Sequence, residues 1–380
     1  MQFIDLEIQY QSIQPRIDQA ILKVLNHGQY IQGPEVFELE VKLATYSGTK
    51  YCVSCSSGTD ALLMSLMAKK IGLGDAVFTT PFTFIATAEV IQLLGATPVF
   101  VDIIEDTFNI DPSKLKTAID DCQSKGELIP KAIIPVDIFG LPAEYEMIEK
   151  IGNKFDLCII EDAAQSFGGK IKNKKACSFG DIGTTSFFPA KPLGCYGDGG
   201  ACFTSDKQLA DLIRLLINHG QDKKYNHKQL GINGRMDTLQ AAVILAKLHN
   251  FEAEIVRRNE VANNYSNMLF KAEEKGFLRL PKIMEHNESV WAQYTIRVDN
   301  RHKIQEILNN SGIPTAIHYP VPIHLQPAAS WLGYGVGSFP RTECQAKRIL
   351  SLPINQYLSQ DQIGFIAETI NRFFASEVGA

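Results

Sequence analysis

One lysine of this chain stands in a setting suited to nucleophilic chemistry. Lys191 lies between two prolines in the segment FFPAKPLGCYGDGG (187–200), with aromatic and apolar residues near it and several glycines after it. Because an amine in so rigid and apolar a segment is poorly solvated, we expect the pKa of Lys191 to lie below that of an ordinary lysine. A neutral amine is the form that attacks a carbonyl group to give a Schiff base. A surface lysine in a glycine-rich loop, the alternative, would leave the flanking aromatic and proline residues unexplained.

A turn of small residues could bind an anion. Segment 51–62 (YCVSCSSGTDAL) is an apolar strand followed by the start of a helix. Gly58 permits a tight turn, and Thr59 or Ser57 is placed to cap the helix, so free N–H groups and the positive end of the helix dipole would face a ligand. A phosphate group would suit this position. Taken alone, such residues are more often an ordinary strand-to-helix turn.

An acidic residue ends another buried strand, in the segment LCIIEDAAQSFG (157–168). Open α/β sheets hold their ligands at the carboxyl ends of the strands. The Asp162 carboxylate could pair with a cationic ring nitrogen, bind a metal ion or cap a helix, and capping is the commonest of these roles. The residue alone leaves all three roles open.

Cysteine and histidine residues give no convincing metal site. Cys52 and Cys55 have the spacing of a metal or redox pair, but no second pair exists and Cys52 lies inside a predicted strand, so we interpret both as buried thiols. His318 and His324 are separated by prolines and lack an evident third ligand, so we expect no metal. Eight cysteines scattered over 380 residues are also unlike the disulfide framework of a secreted protein.

The elements that must position these residues follow an α/β pattern. Short apolar segments alternate with helical periodicity from about residue 36, which predicts βαβ units in a doubly wound, mostly parallel sheet. The predicted strands are 51–55, 76–80, 97–103, 131–138, 157–161, 183–188 and 199–204, and predicted helices include 59–70, 84–94, 112–122 and 143–153.

Two domains are expected, because a single core rarely grows past about 250–300 residues. Residues 1–250 would form a large domain, and residues 251–380 a smaller, proline-richer α+β domain that ends in an amphipathic helix over 360–374. Segment 236–270 lacks glycine and proline and repeats apolar residues on one face, which predicts one long helix joining the domains.

Composition excludes several other classes of protein. Hydrophobic residues make up 45% of the chain and charged residues 21%, as in globular proteins rather than disordered ones. The net charge of −5 gives no overall attraction to nucleic acid or anionic membranes. The first residues, MQFIDLE, do not resemble an export signal, and no run of about 18 apolar residues occurs, so we expect a cytoplasmic protein.

Eight segments, spread over almost the whole chain, together resemble one family. They are HGQYIQGPEV (27–36), SSGTDAL (56–62), TTPFTFIATAE (79–89), PVFVDI (98–103), EDAAQSFG (161–168), SFFPAKPLGCYGDGGA (186–201), NHGQDKKYNHKQLGINGRMDTLQAA (218–242) and HYPVPIHLQPA (318–328). The chain thereby resembles the nucleotide-sugar aminotransferases of the DegT type, which are pyridoxal-phosphate enzymes of the aspartate-aminotransferase fold. That resemblance implies fold type I, with a mostly parallel mixed sheet in the large domain.

The resemblance implies roles around the cofactor ring of pyridoxal 5'-phosphate. Lys191 would form the Schiff base with the cofactor and later move the proton of the substrate carbon. Asp162 would pair with the protonated pyridine nitrogen, which keeps the ring an electron sink. Gln165 would meet the phenolic oxygen, and Phe84 would stack on the ring. A core phenylalanine is the alternative for Phe84.

The resemblance also implies how the cofactor phosphate is held. The backbone amides of Gly58 and Thr59 would bind it together with the Ser186 hydroxyl. Asn233 is similar to the asparagine that reaches the phosphate of the neighbouring subunit in the family, which implies a homodimer.

Three further residues are similar to positions that meet the nucleotide-sugar in the family: Arg235, His318 and Tyr319. Arg235 suits bidentate contact with a uronate carboxylate or a diphosphate, and would also reach the neighbouring active site. Two departures stand near the cofactor residues. Ser57 replaces an asparagine found in many relatives, and Ala190 replaces a serine, but neither change removes a group that the chemistry needs.

Within the family, the chain resembles the aminotransferases that act on UDP-2-acetamido-2-deoxy-3-oxoglucuronate for O-antigen synthesis. The implied reaction is a ping-pong transfer: glutamate gives its amino group to the cofactor and leaves as 2-oxoglutarate, and the C3 keto group of the sugar is then aminated. An aminotransferase for another keto-sugar, with the keto group at C4 or with dTDP as carrier, is the first alternative.

Three other functions are weaker alternatives. A pyridoxal-phosphate sugar dehydratase usually has histidine where this chain has Lys191. A nucleotide-binding oxidoreductase would need a G-x-G-x-x-G motif after an early strand, and the Gly72–Gly74 pair lacks the third glycine. A non-catalytic protein of the same fold predicts loss of Lys191 or Asp162, and both are present.

Overall fold

The chain alternates helices with short strands over most of its length. The computed structural model describes residues 1–378. Its helices are α1 (Leu6–His27), α2 (Pro34–Ser47), α3 (Gly58–Ala68), α4 (Ala86–Leu93), α5 (Pro112–Lys125), α6 (Tyr145–Phe155), α7 (Lys207–Leu216), α8 (Thr238–Leu248), α9 (Phe251–Glu274), α10 (Arg301–Asn310), α11 (Pro340–Arg348) and α12 (Gln360–Val378). Its strands are β1 (Tyr51–Cys55), β2 (Asp75–Thr79), β3 (Thr97–Phe100), β4 (Ile129–Ile133), β5 (Cys158–Asp162), β6 (Lys170–Ile171), β7 (Lys174–Lys175), β8 (Ile182–Ser186), β9 (Gly200–Thr204), β10 (Gln221–Lys223), β11 (Asn226–His227), β12 (Leu278–Arg279), β13 (Asn287–Glu288), β14 (Tyr294–Val298) and β15 (Ile349–Leu352).

A seven-stranded mixed sheet forms the centre of the molecule, in the order β1-β9-β8-β5-β4-β2-β3. The neighbours from β8 to β3 pair in parallel, and β9 runs antiparallel to both β1 and β8. Helices pack against this sheet, as α3 does on β8 and β9 and α5 does on β2 and β4. This architecture confirms the predicted α/β class with a mostly parallel sheet.

The local sequence explains where the helices of these units begin and end, as α5 illustrates. Asp111 accepts a hydrogen bond from the backbone N–H of Ser113 (2.9 Å), and Pro112 occupies the first helical position, where its missing N–H costs nothing. Gly126 ends the helix in the left-handed conformation (φ +68°), which glycine adopts without a steric penalty.

The region after residue 260 has a hydrophobic cluster of its own. The antiparallel sheet β12-β14-β15 packs with α9, α10 and α12 around buried aromatic and aliphatic side chains such as Tyr265, Tyr294 and Ile366. The helix predicted over 360–374 is α12. The division of the chain into domains 1–250 and 251–380 stays a prediction.

The single helix predicted over about 236–270 is wrong, because the chain forms α8 and α9 with a break between them. The backbone N–H of Asn250 donates to the carbonyl of Lys247 (3.1 Å) and closes a tight turn. After this turn Phe251, which is 1% exposed, packs against Phe167 in the core beside the sheet. Helix α8 packs on α1 and α2 and contributes side chains to the same core. The break lets both helices bury side chains in the same core.

Cys52 and Cys55 are buried, and all eight cysteines are free thiols. No helix among the described residues combines the length and apolar character needed to cross a membrane.

Candidate active site

The residues predicted to do chemistry meet at one edge of the central sheet, where β1, β5 and β8 end and β9 begins. In the strand register Asp162 lies opposite Thr184. Gly200 lies opposite both Cys55 and Ser186. The sheet thus brings together residues as far apart in sequence as Cys55 and Gly200.

The turn before α3 offers unpaired backbone donors. The Ser57 hydroxyl accepts from the backbone N–H of Asp60 (3.0 Å), so Ser57, and not Thr59, caps the helix. Within residues 1–378 the backbone N–H groups of Gly58 and Thr59 donate no hydrogen bond. Two free N–H groups at the positive end of a helix dipole form a site for an anion.

Close packing at this turn requires glycine. A Cβ atom on Gly58 would lie 2.6 Å from the Cβ of Ser186, and one on Gly200 would lie 2.3 Å from the carbonyl oxygen of Ser57. The backbone of the turn therefore rests directly on the ends of β8 and β9. The Ser186 hydroxyl, which accepts from the backbone N–H of Phe188 (3.3 Å), lies next to the free amides.

Lys191 lies in a tight turn after β8. Its backbone N–H donates to the carbonyl of Phe188 (2.8 Å). Burial lowers the pKa of the Lys191 amine, and the nearby Asp162 carboxylate opposes that shift. The direction agrees with the prediction from sequence, and a lower pKa favours the neutral, nucleophilic form of the amine.

Asp162 is 4% exposed at the end of β5. Its Oδ2 accepts from the Thr87 hydroxyl (2.9 Å) and its Oδ1 from the backbone N–H of Ala164 (3.2 Å). Burial raises the pKa of the Asp162 carboxyl, whereas these two hydrogen bonds and the charge of Lys191 lower it. The chain continues into a turn over 164–168, so Asp162 caps no helix, which removes the commonest of its three roles.

Gln165 connects this turn to the opposite wall of the site. Its Oε1 accepts from the backbone N–H of Phe139 (2.7 Å), and its Nε2 donates to the Tyr319 hydroxyl (3.3 Å). The ring of Phe84 lies 5.9 Å from that of Tyr319, and 54% of Phe84 is exposed. A core role for Phe84 is therefore excluded, and its ring is open to a ligand.

His318 and Tyr319 belong to the same group of side chains. The His318 Nδ1 lies 3.3 Å from the Ser351 hydroxyl, within hydrogen-bonding distance. Burial lowers the pKa of His318, and the charge of Lys191 lowers it further. Burial and the charge of Asp162 raise the pKa of Tyr319. Both residues thus lie within electrostatic range of the buried charged pair.

Asn233 and Arg235 flank a backbone contact with the anion-binding turn of their own chain. The carbonyl of Gly234 accepts from the backbone N–H of Ser56 (2.9 Å). Asn233 is exposed, and one terminal nitrogen of Arg235 donates to the Asn218 side chain (2.6 Å) while its buried Nε has no hydrogen-bond partner. The reach of both residues into a neighbouring subunit stays a prediction.

Sequence reasoning missed two polar partners in this site. Thr87 hydrogen-bonds Asp162, and Asn218 holds Arg235. The signal for Thr87 is a hydroxyl in the first turn of α4, three residues after Phe84. No local feature distinguishes Asn218 from other loop asparagines. Among residues 1–378, no group of three or more His, Cys, Asp and Glu side chains could hold a metal ion.

Comparisons with known proteins place this site in context. Residues 11–371 match the DegT/DnrJ/EryC1/StrS aminotransferase family. The chain is 47% identical to the UDP-2-acetamido-2-deoxy-3-oxo-D-glucuronate aminotransferase of Pseudomonas aeruginosa, with 97% of this chain and 99% of that protein covered.

Solved structures resemble the fold closely. A DegT DnrJ EryC1 StrS aminotransferase from Brucella abortus has a TM-score of 0.94 and 47% identity, and the match covers 98% of this chain and 99% of that one. The Bacillus subtilis ntda structure, with bound cofactor PMP, has a TM-score of 0.88 and 30% identity, and the match covers 95% and 82% of the two chains.

The residues at this edge of the sheet fit pyridoxal 5'-phosphate. Two free amides and the Ser186 hydroxyl suit its phosphate, and the exposed ring of Phe84 suits its aromatic face. The buried carboxylate of Asp162 suits a cationic ring nitrogen, and the amine of Lys191 suits an aldehyde. These donors match the cofactor used by the matched family.

Proposed function

We propose a substrate on the premise that the chain belongs to the DegT/DnrJ/EryC1/StrS aminotransferase family and is a pyridoxal-phosphate-dependent aminotransferase of fold type I. On that premise it transfers the amino group of glutamate to the C3 keto group of UDP-2-acetamido-2-deoxy-3-oxoglucuronate. One observation carries the choice of sugar: the 47% identity, over 97% of the chain, to the Pseudomonas aeruginosa protein named for that substrate.

The chemical part of the proposal rests on the pairing of Lys191 with Asp162. When bound, the cofactor supplies an electron sink for the substrate carbon that loses a proton. The Lys191 amine attaches the cofactor and then, once freed, moves that proton. The Asp162 carboxylate, whose pKa the hydrogen bonds from Thr87 and Ala164 lower against the raising effect of burial, would hold the ring nitrogen in its protonated form.

The remaining residues near the ring fix its position. Gly58, Thr59 and Ser186 would hold the phosphate, and Phe84 would stack on the ring. Gln165, whose Nε2 donates to the Tyr319 hydroxyl at 3.3 Å, would donate to the phenolic oxygen. One site would serve glutamate and the keto-sugar in turn.

Arg235, His318 and Tyr319 bind the nucleotide-sugar in this proposal. The guanidinium of Arg235 keeps a buried Nε without a hydrogen-bond partner, which leaves donor capacity for a carboxylate or phosphate. Asn233 is exposed, as a residue that completes the site of a neighbouring subunit must be before assembly. We therefore also propose a homodimer in which Asn233 and Arg235 reach the partner's site.

The cellular role follows from the proposed substrate. An amino sugar made from a UDP-linked uronate would serve surface polysaccharide synthesis, including O-antigen, and the proposed place of action is the cytoplasm. Both statements depend on the identity of the sugar.

A matched pair of substrates tests the proposal. The purified holoenzyme is given glutamate and either the UDP-linked 3-oxo-glucuronate or the same 3-keto sugar with a hydroxymethyl group in place of the carboxylate. We expect kcat/KM to be higher for the uronate by about tenfold or more, because the partly buried guanidinium of Arg235, left without its carboxylate partner, costs binding energy. Amination is followed by mass spectrometry of the sugar nucleotide.

The opposite preference would contradict the choice of sugar. Equal use of the two sugars, or faster amination of a 4-keto or dTDP-linked sugar, would transfer the proposal to the alternative substrate class. Neither result would affect the assignment of the chain as an aminotransferase.

A further inference from the structure

A second buried lysine lies beneath the loop that carries Lys191. Lys247, near the end of α8, is 2% exposed. Its ammonium group donates to the carbonyl of Gly194 (2.8 Å) and lies 4.2 Å from the centre of the Tyr196 ring. None of the roles described above uses this side chain.

Burial of this charge is costly. Removing an ammonium group from water costs several kcal/mol unless an opposite charge and good hydrogen bonds compensate. Among the described residues, no carboxylate comes within ion-pair distance of Lys247, and its partners are one carbonyl and one aromatic ring. Burial lowers the pKa of Lys247 to about 8, and Glu254 and Cys195 oppose the shift. A feature that costs stability at a defined place is expected where it serves function.

The carbonyl that Lys247 holds belongs to a rigid part of the Lys191 loop. A Cβ atom on Gly194 would lie 2.5 Å from the carbonyl oxygen of Pro189, so the loop folds tightly on itself. The backbone N–H of the next residue, Cys195, donates to the carbonyl of Phe187 (2.7 Å). A displacement of Gly194 would therefore be passed to Lys191, three residues earlier.

Helix α8 holds this loop at a second point. The Gln240 side chain accepts from the backbone N–H of Tyr196 (2.9 Å). Gln240 and Lys247 are seven residues apart, which places them on the same face of the helix two turns from each other. Helix α8 thus holds the loop by two hydrogen bonds, one from the backbone of Tyr196 to the neutral Gln240 and one from the charged Lys247 to Gly194.

We propose that Lys247 is a positioning residue for transamination: by holding the Gly194 carbonyl it keeps the Lys191 amine aligned with the carbon that gains or loses a proton. The inference uses the family's chemistry and does not depend on the sugar. Proton transfer and Schiff-base attack are sensitive to such alignment, since a misplacement of about 1 Å can cost roughly 100-fold in rate.

The variant Lys247→Met tests this role. It removes the charge and the donor but retains the length and apolar stem of the side chain. We expect kcat to fall by roughly 10- to 100-fold, with the KM for glutamate changed by less than about twofold. The rate at which borohydride traps pyridoxal 5'-phosphate on Lys191, measured after mixing with apo-protein, should fall with kcat. The melting temperature should stay the same or rise, because a buried charge without an acidic partner is removed.

Two further variants serve as comparisons. Lys150→Met changes an exposed lysine on α6 that pairs with Glu146 and should leave every quantity unchanged. Lys247→Gln keeps a donor for the Gly194 carbonyl, and we expect it to recover part of the lost kcat.

A structural role would give another pattern. A lower melting temperature for Lys247→Met, with wild-type kcat and trapping rate in the folded protein, would overturn the proposal. If the methionine variant does not fold, Lys247→Leu, which also removes the donor, takes its place: wild-type kcat and trapping rate in it would overturn the proposal, and a reduced kcat at an unchanged melting temperature would support it. Because trapping needs no sugar, its failure is separate from a wrong choice of substrate.

Discussion

The proposed cofactor half and the proposed substrate half of the site are built differently. The cofactor half, comprising Gly58, Asp162, Gln165 and Ser186, stands on strand ends and adjoining turns that the sheet register holds in place. The substrate half, comprising Arg235, His318 and Tyr319, lies on segments outside helices and strands. This difference indicates that the strand ends can keep the same cofactor chemistry while changes in the loops alter which substrate the site accepts.

Replacing Asp162 by asparagine should have the largest effect on the cofactor half. Asparagine can still accept from Thr87 and Ala164, but it cannot stabilise a cationic ring nitrogen. We expect kcat to fall by about 10²- to 10³-fold while the fold persists. Steady-state kinetics and circular dichroism measure the two quantities. Asp181→Asn, at the opposite end of the sheet, is the control and should change kcat less than twofold.

The buried Lys247, beneath the loop of the cofactor half, should make the free energy of unfolding of the protein depend on pH. Its pKa is about 8 in the folded protein, against about 10.4 in an unfolded chain. Between these values the unfolded state binds more protons, so the free energy of unfolding should rise with pH over this window, by roughly 3 kcal/mol for this residue. Denaturant unfolding from pH 7 to 10.5 should show the rise in wild type and a smaller one in Lys247→Met. The same rise of the free energy of unfolding with pH in the wild type and in Lys247→Met would contradict the lowered pKa of Lys247.

Gly58→Ala should weaken cofactor binding through packing alone. The new Cβ atom would lie 2.6 Å from the Cβ of Ser186, so the turn must move away from β8. We expect a loss of about 1–3 kcal/mol, seen as a roughly 10- to 100-fold weaker Kd for pyridoxal 5'-phosphate. Gly72→Ala is a suitable control, since its Cβ atom would meet its nearest neighbour at an ordinary 3.5 Å. Equal Kd values for the two variants would refute the packing argument.

Arg235→Lys should change the substrate half and leave the cofactor half intact. Lysine keeps the charge but loses the planar fork that binds a carboxylate or diphosphate with two hydrogen bonds. We expect the KM for the nucleotide-sugar to rise about tenfold, with kcat and the KM for glutamate within about twofold. Loss of cofactor binding in this variant would show that the two halves are not independent.

The sequence predicted the parts of the fold and site that depend on local order. The strand-to-helix turn at Gly58, the acidic strand end at Asp162 and the apolar setting of Lys191 are each visible within about a dozen residues. Their assembly at one sheet edge follows from the parallel topology.

Contacts between distant segments escaped prediction. The hydrogen bond from Thr87 to Asp162 joins residues 75 positions apart, and that from Lys247 to Gly194 joins residues 53 positions apart. The break between α8 and α9 was also missed, because helical periodicity continues across it and the joint burial of Phe251 and α8 side chains in one core is visible only in the packed structure. Such features depend on packing, which helix propensity does not encode.

The absorbance spectrum of the holoenzyme, before and after glutamate is added, tests the central claim most directly. We predict an absorbance band at roughly 410–420 nm that shifts to roughly 330 nm when glutamate is added. In Lys191→Ala the initial band should be absent. A wild-type protein that binds no pyridoxal 5'-phosphate, or whose spectrum does not respond to any amino donor, would contradict the account.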